Sequence, residues 1–202
     1  MRQREIEAYA KQHYATAWQA VQRGLRATAL SEYNLTNADK AFLYEYSSGG
    51  YETLNAQLHA HPGTNTSVLE QGLVKALEKL PPYEGEVLSG VLLRPSELLF
   101  YRACHLKGRP VHWPAFLSAT LRPGLAMQFL RGARKNCLFV IQSKTGRLIE
   151  AIAEMGLFGA APGQNEREVL FAPGVAFEVL AVQEVLTAAG ATDYTRIVLD
   201  EL

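Results

Sequence analysis

The proline pair Pro81-Pro82 divides the sequence into two parts with different hydrophobic patterns. Before it, apolar residues recur at intervals of three and four, which predicts helices. After it, short runs rich in Val, Leu, Ile and Phe predict strands. Proline ends a helix because it lacks a backbone N–H and its ring blocks the preceding turn. A helical part followed by a strand-rich part predicts an α+β fold rather than alternating β-α-β units.

The first part contains several helices separated by turn signals. The spacing predicts helices over 2–29, from Asn37 onward and over 51–59. Ser47-Ser48-Gly49-Gly50 predicts a break between the second and third of them. Ser67-Val68-Leu69-Glu70 is a capping box, in which the serine hydroxyl and the glutamate carboxylate satisfy free backbone N–H groups. It predicts the start of a further helix that ends at the proline pair.

The second part contains strands with helices among them. The apolar runs predict helices at 96–104 and 124–134. They predict strands at 86–93, 111–113, 137–143, 147–152, 168–171, 175–182 and 195–200. No G-x-G-x-x-G follows a strand and no P-loop is present, so any nucleotide would bind without either of these motifs.

Composition narrows the class of protein. The 202 residues include 20 Lys+Arg and 20 Asp+Glu, and this zero net charge argues against a protein built mainly to bind nucleic acid. The five histidines and two cysteines show no metal-ligand spacing, so no metal is expected. Cys104 and Cys137 lie in apolar neighbourhoods, which predicts two buried thiols in a reducing compartment, with one bridge between them as the alternative.

The sequence shows no membrane or export signal. No run approaches the ~18 consecutive apolar residues of a membrane helix, and the polar N-terminus lacks the apolar core of a signal peptide. These observations predict a soluble, cytoplasmic protein that does not engage a membrane. Delivery into a target cell by a specialised secretion system, which often leaves no such mark, stays open.

Three short stretches carry residue types that enzymes use. The first ends a strand with Arg94, and the second contains Ser118-Ala119-Thr120. The third places Glu166 and Glu168 directly before an apolar strand. Taken singly, each has an ordinary structural interpretation: a solvated arginine, a hydroxyl that caps a turn, and a polar loop. The functional hypothesis depends on their combination and order.

In this order the stretches resemble the arginine-serine-glutamate class of mono-ADP-ribosyltransferases, including bacterial toxins and effectors. In that family a strand-end arginine precedes a Ser-Thr-Ser strand and a Glu-x-Glu pair. Arg94 matches the arginine and Ser118 the first serine. Glu166 and Glu168 match the pair, and the resemblance spans roughly 35–202.

The resemblance implies a fold. Tyr51 and Asn55 resemble the helical lobe of these enzymes. We therefore expect one ADP-ribosyltransferase domain over 1–202, of the α+β class. Its helical lobe, 1–82, would pack beside a two-sheet, NAD-binding β core over 83–202.

The sequence departs from the family pattern in two places. Ala119 and Thr120 replace the last two residues of Ser-Thr-Ser, and Pro95 follows Arg94 where glycine is common. An alternative alignment places Ser89-Gly90 at the arginine-glycine position and leaves the arginine absent. The distance in sequence from Arg94 to the serine strand favours Arg94. The alternative alignment would put both nucleotide binding and activity in doubt.

The resemblance also implies the reaction and the roles in it. These enzymes break the bond between nicotinamide and ribose in NAD, which is a substrate, and need no metal. Glu168 would accept a hydrogen bond from the ribose 2′-hydroxyl and stabilise the oxocarbenium ion. Ser118 would hold Glu168 in position. Arg94 would pair with the pyrophosphate, and Ala119 and Thr120 complete the NAD-binding set.

Glu166 is the family's mark for arginine acceptors. In an extended segment the side chains of Glu166 and Glu168 would face the same side, so both could reach one pocket. Glu166 would orient the acceptor guanidinium and take its proton. The loop over 153–165 has three glycines, which predicts a mobile surface loop. Its one aromatic residue, Phe158, is the expected contact with the acceptor, with packing onto the core as the alternative.

The resemblance therefore predicts transfer of ADP-ribose from NAD to an arginine of a target protein, by an effector or toxin. It leaves open a cognate immunity protein and a nucleic-acid acceptor. Two alternatives remain: a hydrolase of NAD with the same fold, and a catalytically dead module that binds NAD or a protein.

Overall fold

The structure is a computed structural model, and it describes residues 3–23, 33–63, 67–133, 135–157 and 165–202. Within these ranges the chain forms seven α-helices and eight strands. The helices are α1 (Gln3–His13), α2 (Ala15–Arg23), α3 (Asn37–Glu45), α4 (Tyr51–Ala60), α5 (Val68–Glu78), α6 (Pro95–Lys107) and α7 (Pro123–Gly132). The strands are β1 (Gly85–Val91), β2 (Val111–His112), β3 (Leu117–Thr120), β4 (Cys137–Ser143), β5 (Arg147–Leu148), β6 (Glu168–Phe171), β7 (Ala176–Leu186) and β8 (Thr192–Glu201).

The predicted helix over 2–29 is two helices in the structure. Tyr14 separates α1 from α2 and belongs to neither helix. Residues 24–29 of the prediction lie outside the described residues. The break at 47–50 is confirmed as a π-helical turn, Tyr46–Gly50, between α3 and α4. Gly49 has φ 142° there, in the region that glycine adopts without the Cβ penalty of other residues.

Hydrogen bonds of side chains to the backbone set the starts of α3 and α5. Asp39 N–H donates to Thr36 Oγ1 at 3.2 Å, and Thr36 N–H donates to Asp39 Oδ2 at 2.7 Å. The same carboxylate oxygen accepts from Lys79 Nζ at 2.6 Å, which ties the end of α5 to the start of α3. At the predicted capping box, Ser67 Oγ accepts from Glu70 N–H at 3.1 Å.

Close packing joins α3 and α5. A Cβ at Gly72 would lie 2.3 Å from the ring of Phe42, which is fully buried. Glycine is therefore required at this position of α5, because any side chain would overlap the aromatic ring.

The strands form one mixed sheet with the order β2-β7-β8-β4-β1-β3-β6-β5. Strand β4 pairs antiparallel with β1, from Gly85↔Ser143 to Val91↔Cys137, and parallel with β8. Strand β1 also pairs with β3, at Leu88↔Thr120. The prediction of a two-sheet β core is wrong, because β1 has a hydrogen-bonded neighbour on each edge and so continues one sheet across the expected division.

The Cα positions divide the chain into two compact units. Unit 1 comprises Met1–Pro81, Pro114–Phe116 and Arg147–Glu168. Unit 2 comprises Pro82–Trp113, Leu117–Gly146 and Val169–Leu202. The first segment of unit 1 ends beside the predicted boundary at 82. Its last segment brings the Glu-x-Glu pair into the helical unit.

Unit 2 is built on strands β1–β4, β7, β8 and most of β6, together with α6 and α7. Buried Ala126 and Leu130 of α7 pack with Leu138 and Val140 of β4. Glu201, 1% exposed, accepts hydrogen bonds from the backbone N–H groups of the turn after β4. These contacts join the end of β8 to the turn that follows β4.

Cys104 and Cys137 are both buried and unbridged, which confirms the prediction of two buried thiols. Among the helices that the structure describes, none has the length and apolar character needed to cross a membrane.

Candidate active site

The Glu-x-Glu pair lies in unit 1, where backbone hydrogen bonds hold both glutamates. Glu168 opens β6 and is 7% exposed, and its carbonyl accepts from Ile149 N–H at 2.9 Å. Glu166 N–H donates to Met155 O at 2.8 Å. Burial raises the pKa of the Glu166 carboxyl above its ordinary value. Partial removal from water disfavours the charged form and makes this carboxylate a stronger base.

The residue between the two glutamates has an unusual backbone. Arg167 has φ +47°, in the left-handed region. Its N–H donates to Asn165 Oδ1 at 2.8 Å, closing a turn. The segment is therefore not extended, and the simple alternation of side chains expected at Glu166 and Glu168 does not apply.

The charges of both carboxylates nevertheless raise the pKa of one tyrosine. The pKa of Tyr51 is raised first by burial, then by the charge of Glu52 and their hydrogen bond, and then by the charges of Glu166 and Glu168. The pKa of Tyr46 is raised mainly by burial and next by the charge of Glu168, while a hydrogen bond from Asn55 lowers it. The charges of Glu166 and Glu168 thus both contribute to the raised pKa of Tyr51 in spite of the turn.

Asn55 links Tyr46 to Phe116 within unit 1. Its Nδ2 donates to Tyr46 Oη at 3.1 Å, and its Oδ1 accepts from Phe116 N–H at 3.2 Å. The rings of Tyr46 and Phe116 lie 5.4 Å apart. This network therefore fixes Phe116 within unit 1.

Tyr46 is not among the residues that the sequence singles out as functional. A tyrosine nine residues from an asparagine, across a glycine pair, carries no recognisable spacing. The donor of its hydrogen bond, Asn55 Nδ2, is found only when the turn between α3 and α4 is known.

We expect Asn55→Ala to lower the free energy of unfolding by about 1–3 kcal/mol, the usual cost of leaving buried polar groups without a partner. The backbone N–H of Phe116 and the hydroxyl of Tyr46 both lose their hydrogen bond. Chemical denaturation measures the change. Thr53→Ala, at an exposed position of the same helix, is the control and should change stability by less than about 0.5 kcal/mol. Equal stability of the two variants would contradict the proposed strength of the network.

The predicted NAD-binding residues of unit 2 lie on two elements. Ser118, Ala119 and Thr120 belong to β3, and Arg94 lies at the start of α6. Ser118 is exposed on β3, and Ser89 Oγ of β1 donates to its carbonyl at 2.7 Å. Ala119 and Thr120 are buried, and Thr120 Oγ1 accepts from Arg122 N–H at 3.0 Å.

Arg94 caps α6. Its guanidinium donates to Glu97 at 2.8 Å, and its side chain is 79% exposed. The carboxylate of Glu97 also accepts from the backbone N–H of Arg94 at 2.6 Å. The structure thus brings Ser89 to Ser118 and pairs Arg94 with Glu97. A pyrophosphate contact of Arg94 stays a prediction.

The loop expected over 153–165 begins as a closed turn. Leu157 N–H donates to Glu150 O at 2.7 Å, and Glu154 N–H donates to Ser47 Oγ at 2.9 Å. A Cβ at Gly156 would lie 2.0 Å from Glu150 O, so only glycine fits this turn. Phe158, the predicted acceptor contact, lies outside the described residues.

The part of the chain that the structure describes contains no group of three or more His, Cys, Asp or Glu side chains placed to hold a metal ion.

Solved structures define the class of this fold. The ADP-ribosyltransferase HopU1 of Pseudomonas syringae pv. tomato DC3000 matches with a TM-score of 0.68 and 19% identity, over 98% of this chain and 87% of that chain. Exoenzyme S of Pseudomonas aeruginosa, bound to carba-NAD and in complex with human 14-3-3 protein beta, matches with a TM-score of 0.61 and 20% identity, over 93% and 88%. Vis, an ADP-ribosyltransferase from Vibrio splendidus, in complex with agmatine, matches with a TM-score of 0.63 and 22% identity, over 100% and 86%. The chain has the ADP-ribosyltransferase fold, which confirms the resemblance at the level of the fold.

A curated relative points the same way. A protein of Mycobacterium avium (strain 104), provisionally described as the NAD(+)–arginine ADP-ribosyltransferase Mav, is 31% identical over 148 residues. These residues are 73% of this chain and 16% of the Mav protein, so this chain corresponds to a small part of that relative. No family model matches the sequence.

Proposed function

We propose that this chain transfers ADP-ribose from NAD to the arginine side chain of a target protein. The observation that carries the proposal is the Glu-x-Glu pair of unit 1, in which Glu168 is 7% exposed at the start of β6 and Glu166 N–H donates to Met155 O. The provisional description of Mav as an NAD(+)–arginine ADP-ribosyltransferase supports it. So do the structures of the same fold with agmatine, a guanidinium compound, and with carba-NAD.

Glu168 serves the first half of the reaction. The bond between nicotinamide and ribose C1′ breaks, nicotinamide leaves with the electron pair, and positive charge develops on the ribose. A carboxylate that is 7% exposed stabilises this charge more strongly than one in water, because the surrounding dielectric is low.

Glu166 serves the second half. An arginine nitrogen forms the new bond to C1′ and must lose a proton, although its pKa in water is above about 12. Glu166 orients the guanidinium and accepts that proton. Its raised pKa suits this role, because a general base works best when its pKa approaches the operating pH.

The test compares NAD alone with NAD plus agmatine, following nicotinamide release and the ADP-ribosylated agmatine product. Transfer to agmatine supports the proposal. Equal nicotinamide release in both reactions without an adduct would identify a hydrolase of NAD instead. Labelled NAD added to a cell lysate, followed by identification of the labelled protein and linkage, then names the target.

A second candidate function is a module that binds NAD or a protein without turnover. The departures from the family pattern at Ala119 and Pro95 favour it. In the alternative alignment Ser89, whose hydroxyl donates to Ser118 O, takes the position of the arginine. NAD binding without nicotinamide release would support this candidate.

We expect Arg94→Ala to weaken NAD binding by about tenfold, through loss of a charge-assisted contact with the pyrophosphate. Arg94 must leave Glu97 to make this contact, and water weakens their exposed pair. Glu97→Gln is therefore the matched control, because it releases Arg94 and should leave NAD binding equal or stronger. Calorimetric titration of NAD measures both variants. Unchanged affinity in Arg94→Ala would give preference to the alternative alignment at Ser89.

A further inference from the structure

Residues 165–167 are held to the segment that follows β5 at each of their three positions. Asn165 Nδ2 donates to Glu150 Oε2 at 3.0 Å. Arg167 Nε lies 3.6 Å from the same oxygen. Between them, Glu166 N–H donates to Met155 O. A single carboxylate oxygen thus contacts both neighbours of Glu166.

The turn that this arrangement holds is unfavourable for arginine. A side chain with a Cβ rarely adopts φ near +47°, whereas glycine does so freely. Asn165 stabilises the turn locally through the N–H of Arg167, and Glu150 stabilises it from a distance through both side chains. The Glu150 side chain is 20% exposed, so the ion pair is partly shielded from water.

The segment that carries Glu150 is itself well anchored. The Glu150 carbonyl accepts from Leu157 N–H. Gly156 has no Cβ, so the backbone at Gly156 can pass close to Glu150 O. Glu154 N–H is bonded to Ser47 Oγ, which joins the turn to the π-helical turn before α4. Glu150 therefore offers a fixed point that holds the side chains of Asn165 and Arg167.

We propose that Glu150 is a positioning residue for arginine transfer. By holding the left-handed turn at Arg167, it sets the direction of the Glu166 carboxylate toward the acceptor guanidinium. This inference rests on the proposed function, since it assigns Glu150 to the acceptor half of the same reaction. Glu168 depends less on the contact with Glu150, because Glu168 lies in β6 and its carbonyl accepts a hydrogen bond from Ile149 N–H.

We expect Glu150→Ala to lower the rate of transfer to agmatine by about 10²-fold, the scale of a catalytic group displaced by roughly 1 Å. Nicotinamide release in the absence of agmatine should fall less. The double variant Glu150→Ala/Arg167→Gly should recover transfer, because glycine adopts the left-handed turn without the Glu150 contact. Glu154→Ala, in the same segment, is the matched control and should transfer at the parent rate.

Two variants of Arg167 test the turn with Glu150 intact. Arg167→Gly and Arg167→Val both remove the ion pair, but only glycine tolerates the left-handed backbone. Transfer should therefore survive in Arg167→Gly and be lost in Arg167→Val. Equal transfer in the two variants, or parent-like transfer in Glu150→Ala, would overturn the role of Glu150.

The parent enzyme separates the two proposals. Absence of an adduct with the parent contradicts the proposed function. An adduct that Glu150→Ala forms as well as the parent contradicts only the role of Glu150.

Discussion

Glu168→Gln will abolish both nicotinamide release and transfer to agmatine, with a loss of at least about 10²-fold, the typical effect of removing one electrostatic group from an active site. Glutamine has the size of glutamate but lacks its charge. Both reactions pass through the same positively charged ribose, so both need the carboxylate. Initial rates with and without agmatine measure the effect.

The position of Glu168 makes a stability control necessary. It is buried at the start of β6, so its unfolding transition must be compared with that of the parent. Glu178→Gln, at an exposed position of β7, is the matched control and should retain both reactions. Near-normal turnover in a folded Glu168→Gln variant would remove the assignment of Glu168 to the oxocarbenium ion.

Glu166→Ala will differ in kind from the Glu168 variant. Transfer to arginine requires both orientation and removal of a proton, and a carboxylate at 166 supplies them. Water is small and needs little positioning, so NAD hydrolysis should remain measurable. We expect loss of the agmatine adduct with continued release of nicotinamide, followed in the same assay as for Glu168.

The pH profile gives a further readout of this prediction. Protonation of Glu166 removes the base, so transfer should decline as the pH falls through the pKa of this carboxyl. Because burial raises that pKa, the decline should begin at a higher pH than for an exposed glutamate. If Glu166→Ala modifies agmatine at the parent rate, arginine is not the acceptor, and a nucleic-acid acceptor becomes the next to test.

Local features of the sequence were enough for much of the secondary structure. The strands predicted at 137–143 and 168–171 have these same bounds in the structure. The proline pair, the serine cap and the glycine pair each mark a boundary that was observed. Caps, breaks and hydrophobic periods act within a few residues, so they can be identified without knowledge of the fold.

Features that depend on distant residues were not accessible in this way. The strand expected over 147–152 ends at Leu148, because the chain then turns and Ile152 N–H donates to Ile149 O. The two expected sheets are one, because β1 pairs with both β4 and β3. Strand pairing depends on partners far along the chain and leaves only a weak trace in the apolar pattern.

The candidate site likewise combines features that the local sequence predicts with features that depend on distant residues. Its predicted residue types and their order, from Ser118 to the Glu-x-Glu pair, came from the sequence because they resemble the pattern of a known family. The left-handed turn at Arg167 and the contact of Glu150 with both neighbours of Glu166 were decided by the tertiary structure. A backbone conformation that is unfavourable by itself persists only where surrounding contacts stabilise it, and those contacts come from residues that are near in space but separated in sequence.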